Sequence, residues 1–209
     1  MTATSTDPRP ALRAAIDQVG RVLERVQPDQ AHLPTPCADF DVSLLVEHLQ
    51  GVLRRVAVVL AGEPFDSAPG SLPSTAPLAD WASGRAAVLD VVATDGVLSR
   101  EVSVPWGVVP GAAAVAAYAA ELTVHSWDLA VATDSTGLLD PALAEVALAG
   151  YQGFLPPEPR GGVIPFGPVI EVGPEAGAYE RLVAYTGRDP VGSRSRTAAS
   201  TGNSESSHH

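Results

Sequence analysis

Three residues with chemistry-bearing side chains, Glu121, His125 and Asp128, interrupt the most apolar part of the sequence. The flanking stretches 112–120 and 129–132 contain no charged residue. Spacings of four and three residues place the three side chains on one face of a helix. Burying a carboxylate without a partner costs several kcal/mol, so this face requires a compensating cation or a hydrogen-bond network. A divalent metal ion would meet that requirement.

A histidine in an earlier helix-forming stretch offers a third ligand. His48 lies beside Leu45 and Leu49, close to the apolar side of that stretch. Two histidines and one carboxylate (His48, Glu121 and His125) leave coordination positions open for water or substrate, as in a catalytic site. This donor set suits zinc, and also ferrous iron, nickel or manganese, because geometry and availability select among these ions.

The residues alone leave other interpretations open. A glutamate and a histidine four residues apart also form exposed pairs or buried hydrogen bonds without a metal ion. His48 is equally compatible with a capped or partly exposed histidine. Asp128 is expected either to accept a hydrogen bond from His125, as carboxylates behind metal-bound histidines do, or to pair with an arginine.

Cys37 and Trp106 are further candidates. Cys37 is expected to be a small buried thiol; the alternative is a reactive thiol, because Cys37 precedes a predicted helix N-terminus, where the helix dipole lowers thiol pKa values. As the single cysteine, it excludes an internal disulfide and a four-cysteine zinc site. Trp106 precedes the helix that carries Glu121 and is expected to be a packing residue or a wall of the cofactor and substrate pocket. All 13 basic residues are arginines, which excludes lysine Schiff-base and P-loop chemistry.

Helices with apolar residues at steps of three and four are predicted to position these side chains. Apolar pattern and capping residues place them at about 12–26, 42–61, 77–94, 111–133, 141–154 and 176–185, with Asp39 or Asp41 capping the second. Alternation at Val102 and Val104 predicts a short hairpin or extended arm. The chain is therefore expected to be an all-α bundle, in which sites form from inward-facing side chains of neighbouring helices.

The length of 209 residues allows one domain with an appendage. We expect a metal-binding bundle over 8–155 and a small α/β appendage over 156–190. Residues 191–209 are expected to form a disordered tail because they contain few large apolar residues. His208 and His209 carry no metal argument, since a terminal histidine pair is typical of an expression tag.

The charge balance bears on partners and location. A formal net charge of −11 argues against nucleic acid and anionic membranes, because both select a basic patch. Neither a signal-peptide pattern nor an apolar stretch long enough for a bilayer is recognisable. We therefore expect a cytoplasmic protein that acts on a small molecule, and a homodimer formed through helix faces is compatible with this pattern.

The candidate ligands lie within short motifs. These are Thr35-Pro36-Cys37 with Asp39-Phe40-Asp41-Val42, His48-Leu49, Glu121-Leu122-Thr123-Val124-His125-Ser126-Trp127-Asp128-Leu129-Ala130, and a C-terminal set of Phe166-Gly167-Pro168, Arg181-Leu182 and Thr186-Gly187-Arg188-Asp189-Pro190. Together they resemble the DinB-like, mycothiol-dependent maleylpyruvate isomerase superfamily of actinobacterial metal-binding proteins, over about Ala11 to Pro190. The resemblance implies an up-down-down-up four-helix bundle with one divalent metal ion held by His48, Glu121 and His125.

The same resemblance implies an isomerase or thiol transferase, with zinc as the favoured ion and mycothiol as a thiol cofactor. The ion would lower the pKa of the thiol, which would then attack an electrophilic carbon. True isomerases of this superfamily carry a larger C-terminal domain, whereas here only the segment 161–190 follows the bundle. Two alternatives stay open: a thiol-independent metal-dependent lyase, hydrolase or cyclase, and a non-catalytic metal- or ligand-binding protein.

Overall fold

The computed structural model describes residues 7–160 and 166–192. Within these residues the chain forms six α-helices and one two-stranded hairpin. In order they are α1 (Arg9–Leu23), α2 (Val42–Ala61), α3 (Pro77–Val92), β1 (Glu101–Val104), β2 (Gly107–Pro110), α4 (Gly111–Ala132), α5 (Pro141–Phe154) and α6 (Ala178–Tyr185). The predicted all-α bundle with a small appendage is confirmed. The part of the predicted tail from residue 193 onward lies outside the described residues.

Helix α4 is the centre of the bundle. It packs against α1, α2 and α5 and is buried along most of its length. A helix that is covered by neighbours on several sides can be apolar around its whole circumference, which explains the uncharged stretches that flank Glu121 and Asp128. The main core is formed by α1 to α4 and includes Leu12, Ile16, Leu45, Leu49, Leu53, Trp81, Val88, Tyr118, Leu122 and Leu129.

Capping residues set the ends of the site-bearing helices. The Oδ1 atom of Asp41 accepts a hydrogen bond of 2.8 Å from the backbone N–H of Leu44, so Asp41, rather than Asp39, caps α2. Gly62 ends α2 in the left-handed conformation, with φ of 93°, which glycine adopts without a steric penalty. Asp140 caps α5 by accepting from the backbone N–H of Ala142 at 2.9 Å.

The predicted hairpin leads directly into α4. Strands β1 and β2 are antiparallel, with Val102 opposite Val109, and the side chains of Val102 and Val104 are buried. The backbone N–H of Gly111, the first residue of α4, donates to the carbonyl of Arg100 at 2.7 Å. This connection fixes the hairpin on the start of α4 and places Trp106 at its tip.

The predicted small appendage follows the bundle. Its described residues form α6 and an extended segment but no strand. Pro168, Gly173 and Pro174 occur in this segment, and proline and glycine both disfavour regular strand pairing. A backbone hydrogen bond from the N–H of Ile170 to the carbonyl of Ala184, at 3.0 Å, helps to join the segment to α6. Residues 161–165 of the predicted extended stretch lie outside the described residues.

No helix in the described ranges has both the length and the apolar character that a membrane span requires.

A buried glutamine connects four parts of the fold. The Nε2 group of Gln18, in α1, donates to the hydroxyls of Ser126 in α4 and Tyr179 in α6, both at 2.7 Å. Its Oε1 atom accepts from the backbone N–H of Asp140, at the start of α5, at 2.7 Å. Since Gln18 is fully buried, these bonds replace all its contacts with water. They also hold the appendage beside Ser126, the residue that follows His125.

The Gln18→Ala variant tests this connection. Its loss removes three hydrogen bonds and leaves a cavity in the core, so we expect the free energy of unfolding to fall by about 2–4 kcal/mol. Urea denaturation gives the value. Gln152→Ala, at an exposed position of α5, serves as control and should change stability by less than about 0.5 kcal/mol. Equal effects of the two substitutions would contradict the assignment.

Candidate metal centre

The three candidate ligands meet where α2 and α4 pack side by side. His48 lies in the first half of α2, whereas Glu121 and His125 lie in the middle of α4. Arg100 joins the C-terminal end of α2 to the N-terminal end of α4. Its side chain donates a hydrogen bond to the carbonyl of Leu60 at 3.2 Å, and its backbone carbonyl accepts one from the N–H of Gly111. The two helices therefore run antiparallel, which brings the first half of α2 beside the middle of α4.

His48, Glu121 and His125 form a compact donor group. One ligand atom from each lies within 4.8 Å of the other two, and the Nε2 atom of His48 is 3.6 Å from Oε1 of Glu121. The two imidazole rings have centroids 4.9 Å apart and are inclined by 75°. Ligands of one zinc ion at about 2 Å lie within roughly 4 Å of one another, so the donors are already grouped near that scale.

A buried chain of charges orients His125. Its Nδ1–H group donates to Oδ2 of Asp128 at 3.0 Å, which leaves Nε2 as the donor atom for an ion. The Nε–H group of Arg188 donates to both carboxylate oxygens of Asp128, at 2.8 and 3.0 Å. Both roles considered for Asp128 from sequence are therefore present together: it accepts from His125 and pairs with an arginine.

The pKa values reflect this arrangement. Burial alone would raise the pKa of Asp128, but Arg188 and His125 outweigh it, and the pKa lies below its ordinary value. Burial would likewise raise the pKa of Glu121, yet the pairing with His48 and the charge of His125 bring it below the usual range. Both carboxylates are thus held ionised, which is the state that a metal ligand and its supporting acceptor require.

The connector before α2 covers one side of the site. Phe40 stacks on His48, with ring centroids 4.8 Å apart and an interplanar angle of 23°. The hydroxyl of Thr35 donates to the carbonyl of Phe40 at 2.7 Å, and the Pro34 and Asp41 backbones form an isolated antiparallel bridge. These contacts close the connector into a tight loop, which restricts the orientation of the His48 ring.

A cavity of about 280 Å³ opens above the donors. Its volume is close to the lower end of the range for small-molecule pockets. Trp106, the expected wall residue, lies on it and leaves about half of its side chain exposed, at 54%. The wall is formed by Cys37, Asp39, Phe40, His48, Trp106, Ala117, Glu121, Val124, His125, Tyr151, Phe154, Phe166 and Arg188.

Cys37 faces the same cavity but differs from a reactive thiol. Its sulfur lies within 4.8 Å of potential ligand atoms of His125 and Asp128, so these three residues could in principle form a second metal site. Asp128 is already paired with Arg188, however, and the positive charge of Arg188 disfavours a metal cation there. Burial, with Asp128 nearby, raises the pKa of the Cys37 thiol. This environment therefore favours the buried thiol over the alternative of a thiol activated by the helix dipole.

Comparison with known proteins identifies the family. The family model for the mycothiol maleylpyruvate isomerase N-terminal domain matches residues 12–130, a range that includes all three candidate ligands. The chain belongs to this family. It is 31% identical over 182 residues to uncharacterized proteins of two Mycobacterium tuberculosis strains, CDC 1551 and H37Rv, covering 87% of this chain and 98% of each relative. No solved structure matches the chain significantly.

Several wall residues were not found from sequence. Arg188 lies outside the range matched by the isomerase domain model, 60 residues beyond Asp128, and only its place in the Thr186–Pro190 motif singles it out. Gly187, which directly precedes Arg188, has a φ of +86° and turns the chain after α6. Tyr151, on α5, packs against Phe166 with ring centroids 5.5 Å apart, and an apolar helix pattern alone does not distinguish a wall residue such as Tyr151 from a core residue.

Replacing Arg188 tests the buried charge chain. Arg188→Met leaves the fully buried Asp128 without its main counter-charge, so we expect the free energy of unfolding of the metal-free protein to fall by about 3–5 kcal/mol. Arg181→Met is the matched control, because Arg181 pairs with Glu145 near the surface and its loss should cost less than about 1 kcal/mol. Urea unfolding curves measure the free energy of unfolding of both variants. A similar, small loss of stability in both would refute the role of Arg188.

Proposed function

We propose that this protein is a divalent-metal-dependent enzyme of the isomerase or thiol-transferase type, which uses a low-molecular-weight thiol such as mycothiol on a small electrophilic molecule. The observation that carries the proposal is the convergence of His48, Glu121 and His125 beneath a cavity, in a chain of the mycothiol maleylpyruvate isomerase family. The reducing cytoplasm is the compartment we propose, because a free thiol cofactor persists there.

The donor set fits zinc best in our proposal, with nickel, iron and manganese as other ions of suitable chemistry. When bound, the ion acts as a Lewis acid that lowers the pKa of a thiol at an open position. His48 and His125 would contribute nitrogen donors, and Glu121 would contribute the single negative charge of the set. Three protein donors are typical of catalytic sites, which keep a position for substrate.

The remaining polar residues keep these donors in place. Asp128 fixes the tautomer of His125 by accepting from Nδ1–H, and Arg188 keeps Asp128 ionised in a buried position. Phe40 holds the plane of the His48 ring by stacking. Such support around metal ligands maintains their orientation and their basicity.

The cavity wall defines what the substrate meets. Trp106, Phe154 and Phe166 surround it with aromatic surface, which displaces water from the reacting groups. Cys37 also faces the cavity, but its raised pKa makes it a weak source of thiolate. The proposed reaction therefore takes its sulfur from a cofactor.

Metal binding by defined variants tests the ligand assignment. Isothermal titration calorimetry with zinc should show one site per chain. His48→Ala and His125→Ala should each reduce the zinc affinity by about tenfold to hundredfold or more. His32→Ala is the control, because His32 is an exposed histidine of the connector and should bind zinc like the parent protein. Unchanged affinity in His125→Ala would exclude this site as the metal centre.

Thiol dependence separates the proposed reaction from its alternatives. In the cobalt-substituted protein, mycothiol should produce a thiolate-to-metal charge-transfer band in the near ultraviolet, since the thiol sulfur would occupy an open position. The His125→Ala variant should lack the band. Turnover of an electrophile panel that is equal with and without thiol would instead assign the site to a thiol-independent lyase, hydrolase or cyclase. Ligand binding without any turnover would favour a binding protein.

A further inference from the structure

Two polar side chains continue the line of the candidate ligands toward the hairpin end of the bundle. Arg55 lies seven residues after His48 on α2, and Tyr118 lies three residues before Glu121 on α4. Because α2 and α4 run antiparallel, these steps lead in the same direction along the helix interface. Arg55 and Tyr118 therefore form the next polar layer beside the donor group.

Both side chains hold buried donors that lack an acceptor. Tyr118 is 1% exposed, and among the described residues its hydroxyl has no hydrogen-bond partner. The Nε atom of Arg55 is also buried without a partner in residues 7–160 and 166–192. Buried polar groups are nearly always paired, and exceptions call for a bound ligand or solvent. A guanidinium and a phenol together select an oxygen acceptor with negative charge.

The layer borders the proposed substrate cavity. Ala117 and Glu121, which flank Tyr118 on α4, both line that cavity, as does Trp106. The Trp106 ring packs on Tyr118, with centroids 6.0 Å apart. An occupant of the cavity that extends past Glu121 toward Trp106 would therefore reach Tyr118.

A loop closes the far side of Arg55. The chain near Gly70 crosses α2 so closely that a Cβ atom on Gly51 would lie 2.5 Å from the carbonyl oxygen of Gly70. A Cβ atom on Gly70 would in turn lie 3.3 Å from Nη2 of Arg55. The partly buried guanidinium thus lies beside this loop.

Within the described part of the chain, Arg55 forms no ion pair of its own. Its positive charge is felt by Glu121, but Glu121 belongs to the proposed metal ligands, so a bound divalent ion takes up its negative charge. Arg188, the arginine that lines this cavity, is engaged by Asp128. With the metal bound, this end of the cavity carries excess positive charge that an anionic ligand would balance.

We propose that Arg55 and Tyr118 form an oxyanion subsite next to the metal centre, which binds a carboxylate group of the substrate. The planar guanidinium matches the two oxygens of a carboxylate, and the Tyr118 hydroxyl supplies a further donor. This inference rests on the proposed function, since it places the carboxylate of the same electrophilic substrate beside the metal ion.

Succinate is the probe for this subsite, and calorimetry of the full-length, zinc-loaded chain measures its affinity. Arg55→Met should weaken succinate binding by about tenfold or more, which is the loss expected for a charge-assisted hydrogen bond. Tyr118→Phe, which keeps the ring packing, should weaken it severalfold. Arg54→Met is the matched control, because Arg54 is the exposed neighbour on α2, and it should bind like the parent. The uncharged diamide succinamide should not bind.

Zinc titration and thermal unfolding of the same samples separate the possible failures. The subsite would be overturned if the parent protein bound zinc but not succinate, or if Arg55→Met and Arg54→Met bound succinate equally well. Either result would leave the proposed function standing and would mean that Arg55 and Tyr118 donate to water only. Succinate binding that depends on Arg55 in a chain without zinc affinity would overturn the proposed function and support the subsite. Tighter, Arg55-dependent binding of inorganic phosphate would overturn the carboxylate assignment.

Discussion

The burial of one carboxylate, Asp128, is the constraint on which the rest of the site depends. A fully buried aspartate requires compensation from both charge and hydrogen bonds, and here these come from His125 within its own helix and Arg188 from the end of the chain. The same interactions define which nitrogen of His125 faces the other donors. The appendage therefore contributes to the geometry of the centre although it supplies no candidate ligand.

The position of α4 makes this arrangement possible. Because neighbouring helices cover most of its surface, polar side chains on α4 are shielded from water and must find partners inside the protein. Glu121 pairs with His48, Asp128 forms an ion pair with Arg188, and Ser126 accepts a hydrogen bond from Gln18. Electrostatic interactions are stronger in such an environment than at the surface. The apolar length of α4 is thus what gives its few polar residues their effect.

Much of this could be predicted from the residues in order. The periodic apolar pattern and the caps predicted all six helices to within a few residues, because these signals are local. The spacing of Glu121, His125 and Asp128 predicted their common face for the same reason. The position of His48 near the apolar side of its helix suggested it as a third ligand, and the resemblance to a known family implied the triad. The convergence itself depends on helix packing, which brings together residues about 70 positions apart.

The missed features depend on distant contacts. The pairing of Arg188 with Asp128 is set by how α6 docks on α4 and α5, which no local pattern encodes. The raised pKa of Cys37 arises from burial and from Asp128 across the cavity, and these outweigh the helix dipole that its position suggested. The appendage lacks a described strand because tertiary contacts with α6, rather than a neighbouring strand, satisfy its backbone at Ile170.

The division of the centre between two parts of the chain has an evolutionary consequence. The candidate ligands and Asp128 lie in the range shared with the family, residues 12–130, whereas the cation that neutralises Asp128 comes from a separate segment. A change in the length or sequence of that segment would preserve the charge balance at Asp128 only if it returned one guanidinium to the same point. Diversity in the C-terminal region would then remodel the cavity wall while the inner donors stay unchanged.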